Sequence, residues 1–493
     1  MIFASAPFVL LSVMLPLVSV LLALRADWQQ IYRYCLPVLP LPALLMGLLA
    51  EPDWWLELPG LLIGGLWGAD DLRRVFLLLT AALWLIGGVF AIGYLKDHKL
   101  RRFCVFWALT LVGNLGLVVA LDVASFYSFF ALMTFAGYGL VVHEGTDEAN
   151  RAGRVYLAMA VVGEMAILSG LLMAAQLAGS GLLADLPAAI ADADRRWLIM
   201  LLLLAGFGVK AGLPLLHFWL PLAHPVAPTP ASAVLSGAMI KAGLLGWLVT
   251  LPFGEVSLPD WGNGLVLLGA VGSLGGAALG LCQQRPKAVL AYSSISQMGL
   301  ITLMVGAALA NAEAAAPLFA VMALYVLHHG LAKGSLFLST AMALPASRGG
   351  QWLMWLLIAL PGLSLAGLPF TSGAASKLAM KELLKPDRFD FAMAAYLPVL
   401  MSAGAVATML LVWRFLWVQR ADASTGSNPP FLWLGWGLAT VASVVLFWLL
   451  PWHADVPQKA WLSAMVQDAW SLFWPILVAT LLAAVALRLV KQR

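Results

Sequence analysis

The stretch that decides the fold is FGVKAGLPLLHFWLPLAHPVAPTPASAVLSGAMIKAG, from Phe207 to Gly243. It is apolar enough to lie in a membrane, yet it contains Lys210 and Lys241 with a run of prolines between them. Proline interrupts a helix because it lacks a backbone donor, and a lysine deep in a bilayer is costly. The stretch therefore predicts a broken helix followed by a second helix, each with a lysine that needs a functional explanation.

The surrounding chain has the composition of an integral membrane protein. Of its 493 residues, 62% are hydrophobic and 11% are charged. Because one bilayer crossing takes about 20 apolar residues, the sequence predicts an all-α polytopic protein with about fourteen to fifteen transmembrane helices. The runs are too long and continuous for a membrane β-barrel. The expected spans are 2–24, 31–50, 75–95, 103–121, 123–142, 155–178, 197–221, 228–251, 264–282, 288–310, 315–343, an interrupted 352–385, 393–418, 431–450 and 470–490.

The basic loops predict the orientation of these helices. The loop KDHKLRR at 96–102, the segment 283–287 and the loops with Arg348 and Arg420 are expected inside, whereas the segment 51–71 is expected outside. We therefore expect a multi-pass protein of the bacterial inner membrane, with the N-terminus outside and the C-terminus cytoplasmic. The first span lacks a basic leading region, so we expect it to be retained. The net charge of +4 reflects this loop bias and does not indicate a nucleic-acid partner.

Ionisable side chains fall inside the expected spans, where such groups are functional by default. A single buried lysine is more often structural, but several with a histidine favour proton transfer. The candidates are Lys210, Lys241, His329, Lys333, Lys377 and Glu164. His217 and His224, which flank the proline-rich segment, are secondary candidates.

Two Gly-Leu-Pro triplets accompany two of these lysines, one directly after Lys210 and one shortly before Lys377. By the topology above, they lie in helices that run in opposite directions. This pattern favours two inverted repeats, each with a discontinuous helix, as in secondary transporters. The expected helix-breaking residues are Gly212, Pro214, Gly367 and Pro369.

The segment LYVLHHGLAKGSLFL places Tyr325, His329 and Lys333 four residues apart. Helical geometry puts such residues on one face, so a proton could pass along it with bridging water. His328 is expected to point elsewhere, and we keep it with Tyr325 as a secondary candidate.

These motifs resemble the antiporter-like membrane subunits of respiratory complex I, a family shared with Mrp-type cation/proton antiporters and membrane-bound hydrogenases. Three further segments carry the resemblance, namely RPKAVLAYSSISQMGLI (285–301), HHGLAKGSLFL (328–338) and GLPFTSGAASK (367–377). The resemblance implies about fourteen helices, two inverted five-helix repeats that each form a half-channel, and a hydrophilic axis that joins them. The segments it implies are 1–100 (N-terminal helices), 101–255 (first repeat), 260–420 (second repeat) and 425–493 (C-terminal helices).

The resemblance also assigns roles residue by residue. Lys210 and Lys377 match the charged residues of the two broken helices, and Lys241, His329 and Lys333 match residues of the axis. Tyr325 stands where many members have a histidine, and Ala131 stands where the family usually has the glutamate that pairs with the first lysine. Glu164, in the next helix, is the acid we expect to replace it.

The resemblance favours a proton-translocating subunit of a larger complex, with H⁺ or a Na⁺/H⁺ exchange as the transported ions. We expect no cofactor or metal on this chain, so the energy must come from partner subunits, as in a quinone-reducing or hydrogenase complex. One alternative is the membrane subunit of a cation-gradient-driven inorganic-carbon uptake complex with a zinc, carbonic-anhydrase-like partner. Another is a non-conducting scaffold, which Ala131 favours. A stand-alone enzyme is the least expected, since no nucleophile or cofactor motif stands out.

Overall fold

The computed structural model describes residues 2–25, 28–49, 53–96, 99–449 and 458–491. Its chain forms two compact units, Met1–Val256 with Pro429–Gly435 and Ser257–Asn428 with Trp436–Arg493. The helices up to Val256 are α1 (Ile2–Leu24), α2 (Gln29–Cys35), α3 (Leu41–Leu49), α4 (Asp71–Tyr94), α5 (Leu100–Val119), α6 (Val123–Val141), α7 (Asp147–Ala178), α8 (Leu186–Ala191), α9 (Arg196–Ala211), α10 (Trp219–Val226), α11 (Thr229–Val234) and α12 (Lys241–Thr250).

The later helices are α13 (Pro259–Ala270), α14 (Gly276–Leu281), α15 (Pro286–Ala310), α16 (Ala315–Ser339), α17 (Arg348–Ala366), α18 (Ser372–Leu383), α19 (Leu397–Asp422), α20 (Pro430–Leu449), α21 (Gln458–Gln467) and α22 (Ala469–Lys491). A π-helical turn, Leu235–Met239, joins α11 to α12, and another, Val271–Gly275, joins α13 to α14. The five-helix repeats and the segment boundaries expected from the sequence stay predictions.

The protein is a multi-pass membrane protein. In the described ranges, twelve helical stretches are long and apolar enough to cross a bilayer. Two further expected spans are each divided between two shorter helices. The span expected at 31–50 is two short helices, because the turn between them contains Pro37 and Pro40, and the span at 197–221 is divided between α9 and α10. The span expected at 431–450 corresponds to α20, Pro430–Leu449.

The pattern of exposure is the reverse of that in a soluble protein. Large apolar side chains such as Val162 and Trp352 are exposed, at 65% and 79% of their surface, whereas Lys210 and Lys333 are buried. A lipid environment explains this arrangement, since hydrocarbon solvates apolar surface and cannot solvate a charge.

The segment 51–71, which the sequence places between two expected spans, contains a β-hairpin. Strand β1 (Trp54–Leu58) pairs antiparallel with β2 (Gly65–Ala69). The side chain of Trp67 is fully buried, and the backbone N–H of Leu66 donates to the Asp122 carboxylate at 2.9 Å. These contacts to the start of α6 tie the hairpin to the helices, which the sequence alone did not indicate.

Both Gly-Leu-Pro triplets end a helix in the same way. Gly212 follows α9 with φ of 79°, and Gly367 follows α17 with φ of 97°. Three residues later, Leu215 (φ 69°) and Phe370 (φ 64°) are also left-handed, although neither is glycine. The same local backbone thus recurs at the two breaks, one in each unit.

Replacing Gly367 with alanine is expected to destabilise the protein. A Cβ in this left-handed conformation costs about 1–2 kcal/mol, and it would lie 2.9 Å from Cδ of Lys377. Thermal unfolding of the purified protein in detergent should show a lower midpoint for Gly367→Ala. Gly264→Ala is the matched control, because a Cβ there meets no atom within 4 Å. Equal midpoints for the two variants would contradict the strained-break interpretation.

Candidate functional site

The ionisable side chains expected inside the membrane are buried. Their exposed fractions are small for all members of the set: Glu164 4%, Lys210 5%, Lys241 1%, His329 0%, Lys333 0% and Lys377 6%. Helices of both units therefore hold charges or potential charges away from water, at a cost that needs compensation.

Aromatic rings surround Lys210 at the end of α9. Its Nζ lies 5.9, 5.4 and 5.7 Å from the ring centres of Phe130, Tyr156 and Trp219, distances typical of cation–π contact. Nζ also donates to the Tyr156 hydroxyl at 3.4 Å, and that hydroxyl donates to the Thr134 carbonyl at 2.8 Å. The rings stabilise the ammonium, and no carboxylate of the described residues pairs with it.

Trp219 has a second role at this break. Its indole Nε1 donates to the carbonyl of Val209 at 2.8 Å. That carbonyl belongs to the last turn of α9, where the helix has no following residues to donate to it. Trp219 therefore caps the broken helix and at the same time forms one wall around Lys210.

Glu164 faces Lys210 across a cavity of about 20 Å³, which has room for one water molecule. Thr134, Tyr156 and Trp219 also line it. Within the described ranges the two charges form no ion pair, and Glu164 Oε2 is buried without a hydrogen-bond partner. The carboxylate and the ammonium thus share one small cavity and lie apart.

Helix α6 contributes no acid to this cavity. Phe130 and Thr134, one turn apart, line it, whereas Ala131 is half-buried beside them. The position at which the family resemblance places the usual glutamate therefore offers only a methyl group.

Lys241 is the first residue of α12, and one residue, Ile240, separates it from the π-helical segment. Its Nζ donates to the carbonyl of Ser236, within that π turn, at 2.7 Å. Single π turns occur often at functional positions, since they widen the helix locally. His224 is fully buried in α10, and His217 is half-buried in the segment between α9 and α10.

In the second unit, Tyr325, His329 and Lys333 follow one face of α16. The rings of Tyr325 and His329 stack with centres 6.1 Å apart and an interplanar angle of 3°. Lys333 Nζ donates to the carbonyl of Leu290 in α15 at 3.1 Å. His328 lies on another face, with Nδ1 3.2 Å from the carbonyl of Ser443.

Lys377 lies in α18, after the second break. Its Nζ donates at 2.9 Å to the carbonyl of Ala366, the last residue of α17. A cavity of about 20 Å³ opens beside it, lined also by Lys381, Ser402 and Ser471. Here the lysine itself satisfies a carbonyl that the helix break leaves open.

Several residues at these sites were missed by sequence reasoning. Tyr156 and Trp219 contact Lys210 directly, and Gln297 accepts a hydrogen bond from Tyr325 and donates to Thr408 Oγ1 at 2.7 Å. Aromatic residues are common throughout this chain, so nothing in the sequence marked Tyr156 and Trp219 as contacts of Lys210. A buried glutamine in the apolar helix α15 was the one sequence feature that could have indicated Gln297.

Similar proteins include subunits of membrane complexes. The chain is 30% identical over 280 residues to Hydrogenase-4 component B of Escherichia coli, covering 55% of this chain and 42% of that protein. It is 26% identical over 329 residues to a Na⁺/H⁺ antiporter subunit of Alkalihalophilus pseudofirmus, covering 63% of this chain and 65% of that one. The chain spans about half the length of the first curated relatives it matches.

A solved structure has the same fold. The Mrp complex from a Dietzia species superposes with a TM-score of 0.78 at 23% identity, over 98% of this chain and 56% of that one. The model of the family described as NADH:quinone oxidoreductase/Mrp antiporter, transmembrane, matches residues 120–410. That match covers more than half of the chain and includes the two breaks, and the chain belongs to this family.

Proposed function

We propose that this chain is a proton-translocating membrane subunit of a larger complex. In this proposal, protons move through two half-channels and along a buried Lys/His axis. The observation that carries it is the burial of Lys210, Lys241, Lys333 and Lys377 in helices of a membrane protein. A permanent charge in such a position is expensive, whereas a group that gains and loses a proton has a function there.

The hydrogen-bond partners of three lysines support this proposal. Lys241, Lys333 and Lys377 donate to the backbone carbonyls of Ser236, Leu290 and Ala366. A carbonyl accepts a hydrogen bond from an ammonium and from a neutral amine alike, so each lysine keeps its place in both protonation states. A contacting carboxylate would instead hold the lysine in its charged form.

Glu164 and Lys210 are proposed as the electrostatic switch of the first unit. At an effective dielectric constant of 20, two unit charges 4 Å apart attract by about 4 kcal/mol, and the attraction falls as they separate. Opening or closing the pair across their cavity would change the proton affinity of Lys210. Glu164 would thus take the role of the glutamate that the family usually has at the position of Ala131.

A non-conducting scaffold remains the second candidate, and one observation favours it: α6 offers Ala131 in place of an acid. The retention of buried lysines in both units favours conduction. We also propose that the chain assembles with other membrane and soluble subunits. Mass spectrometry of the complex from native membranes would separate the energy sources, since iron–sulfur subunits indicate a redox complex and a zinc protein indicates inorganic-carbon uptake.

Removing either of two lysines tests conduction against scaffolding. Lys210→Ala and Lys333→Ala, each in the purified complex reconstituted into vesicles, should lower proton flux by about a hundredfold, because a relay group is lost. Lys385→Ala is the control, since Lys385 is exposed and pairs with Glu382 at 2.7 Å. Measurement with and without a Na⁺ gradient identifies the ion. Full flux in both lysine variants would establish the scaffold.

Glu164→Gln tests the switch. The amide keeps the size of the side chain and removes its charge, so proton flux should fall by about a hundredfold while the complex still assembles. Glu148→Gln is the matched control, because Glu148 is an exposed acid in the first turn of the same helix. Unchanged flux in Glu164→Gln would refute Glu164 as the partner of Lys210.

Tyr156→Phe tests the hydrogen bond between Lys210 and the Tyr156 hydroxyl. The substitution keeps the ring and deletes the hydroxyl that accepts from Nζ at 3.4 Å. Losing one hydrogen bond to a charged group costs about 1.5–3 kcal/mol, so flux should fall by about tenfold or more if this contact holds the lysine during transport. Tyr396→Phe, at an exposed tyrosine, serves as the control. Equal flux in the two variants would mean that the hydroxyl has no part in transport.

A further inference from the structure

His328 lies outside the column, the row of side chains that Tyr325, His329 and Lys333 form along one face of α16. Its ring is 4% exposed, and successive helical residues point about 100° apart, so it leaves α16 on a different face from His329. Nδ1 lies 3.2 Å from the carbonyl oxygen of Ser443. A carbonyl only accepts, so Nδ1 carries the hydrogen, and in the neutral ring Nε2 is the nitrogen with a free lone pair.

That free nitrogen is aimed at the second helix break. Within the described residues, Nε2 of His328 is buried and has no hydrogen-bond partner. It faces Gly373 in the first turn of α18, where an added Cβ would lie 2.8 Å from Nε2. Lys377 is one turn further along the same face of α18, with Nζ on the carbonyl of Ala366. A buried acceptor without a donor costs free energy, which calls for an explanation.

The second break also differs from the first in its acids. Glu164 shares a cavity with Lys210, whereas none of the described residues that line the cavity beside Lys377 is a carboxylate. Helix α16 supplies a histidine to this break instead. A neutral imidazole nitrogen can do what a carboxylate does, namely take a proton from an ammonium.

We propose that His328 is the proton-accepting partner of Lys377 at the second break, a role that rests on the proposed function. The ammonium of Lys377 gives one proton to Nε2, directly or through one water. Lys377 becomes a neutral amine, still bonded to the Ala366 carbonyl, and His328 becomes an imidazolium with Nδ1–H still on Ser443. Return of the proton restores both groups. Helix α16 thus places His329 in the column and the adjacent His328 at the break.

Two substitutions separate the two nitrogens of His328. Asparagine places its amide N–H where Nδ1 lies and has no atom at Nε2, whereas glutamine places at Nε2 an amide that does not titrate. In the reconstituted complex, His328→Asn and His328→Gln should each lower proton flux at least tenfold while subunit composition and thermal midpoint are unchanged. His143→Asn, at a buried histidine after α6, is the control. Normal flux in His328→Asn would overturn the proposal.

A spectroscopic measurement tests the same contact without transport. Solid-state NMR of the complex with ¹⁵N-labelled histidine, with His328 assigned by difference from His328→Gln, should show Nδ1 protonated and Nε2 bare in the neutral ring. Lys377→Met should shift the Nε2 resonance, because it removes the facing amine. A protonated Nε2 with a bare Nδ1, or a resonance that Lys377→Met leaves in place, would refute the pairing. If the wild-type complex conducts no protons, the proposed function fails, and these resonances still decide the contact.

Discussion

A helix that ends inside a bilayer leaves carbonyl oxygens without donors, and hydrocarbon offers none to replace them. The rest of this structure depends on how the two breaks meet that constraint. At the first break, the Trp219 indole donates to Val209, and at the second, Lys377 donates to Ala366. Polar groups are therefore present at both breaks for a structural reason, and at the second break the proposed proton chemistry uses a group, Lys377, that the backbone already needs.

The two units meet the constraint with different side chains. In the first, an aromatic residue caps the helix. Lys210 therefore contacts aromatic rings and a tyrosine hydroxyl instead of the backbone, and it shares a cavity with Glu164. In the second, the lysine is itself the donor to the carbonyl. Lys210 is thus free to respond to a carboxylate, whereas Lys377 is held by backbone and suits a neutral partner such as His328.

The sequence was sufficient for the fold class and for the position of the breaks, and insufficient for the partners of the charged groups. Gly212 and Gly367 were predictable because glycine shortly before proline has a direct backbone consequence. The β1–β2 hairpin was missed, since its burial depends on Asp122 at the start of α6, far away in the chain. Tyr156, Gln297 and the carbonyl of Ser443 were missed for the same reason, because only the packing of separate helices brings them to Lys210, Tyr325 and His328.

Trp219 both donates to the Val209 carbonyl and packs beside the Lys210 ammonium, and this double contact limits which residues can replace it during evolution. Phenylalanine would preserve a wall beside the Lys210 ammonium and leave the Val209 carbonyl bare, whereas histidine would retain a ring N–H and offer a poorer face to a cation. No other natural side chain combines a long-reaching N–H donor with so large a π surface. A substitution at this one position would loosen the end of α9 and the environment of Lys210 together, so the broken helix and its buried lysine depend on the same residue.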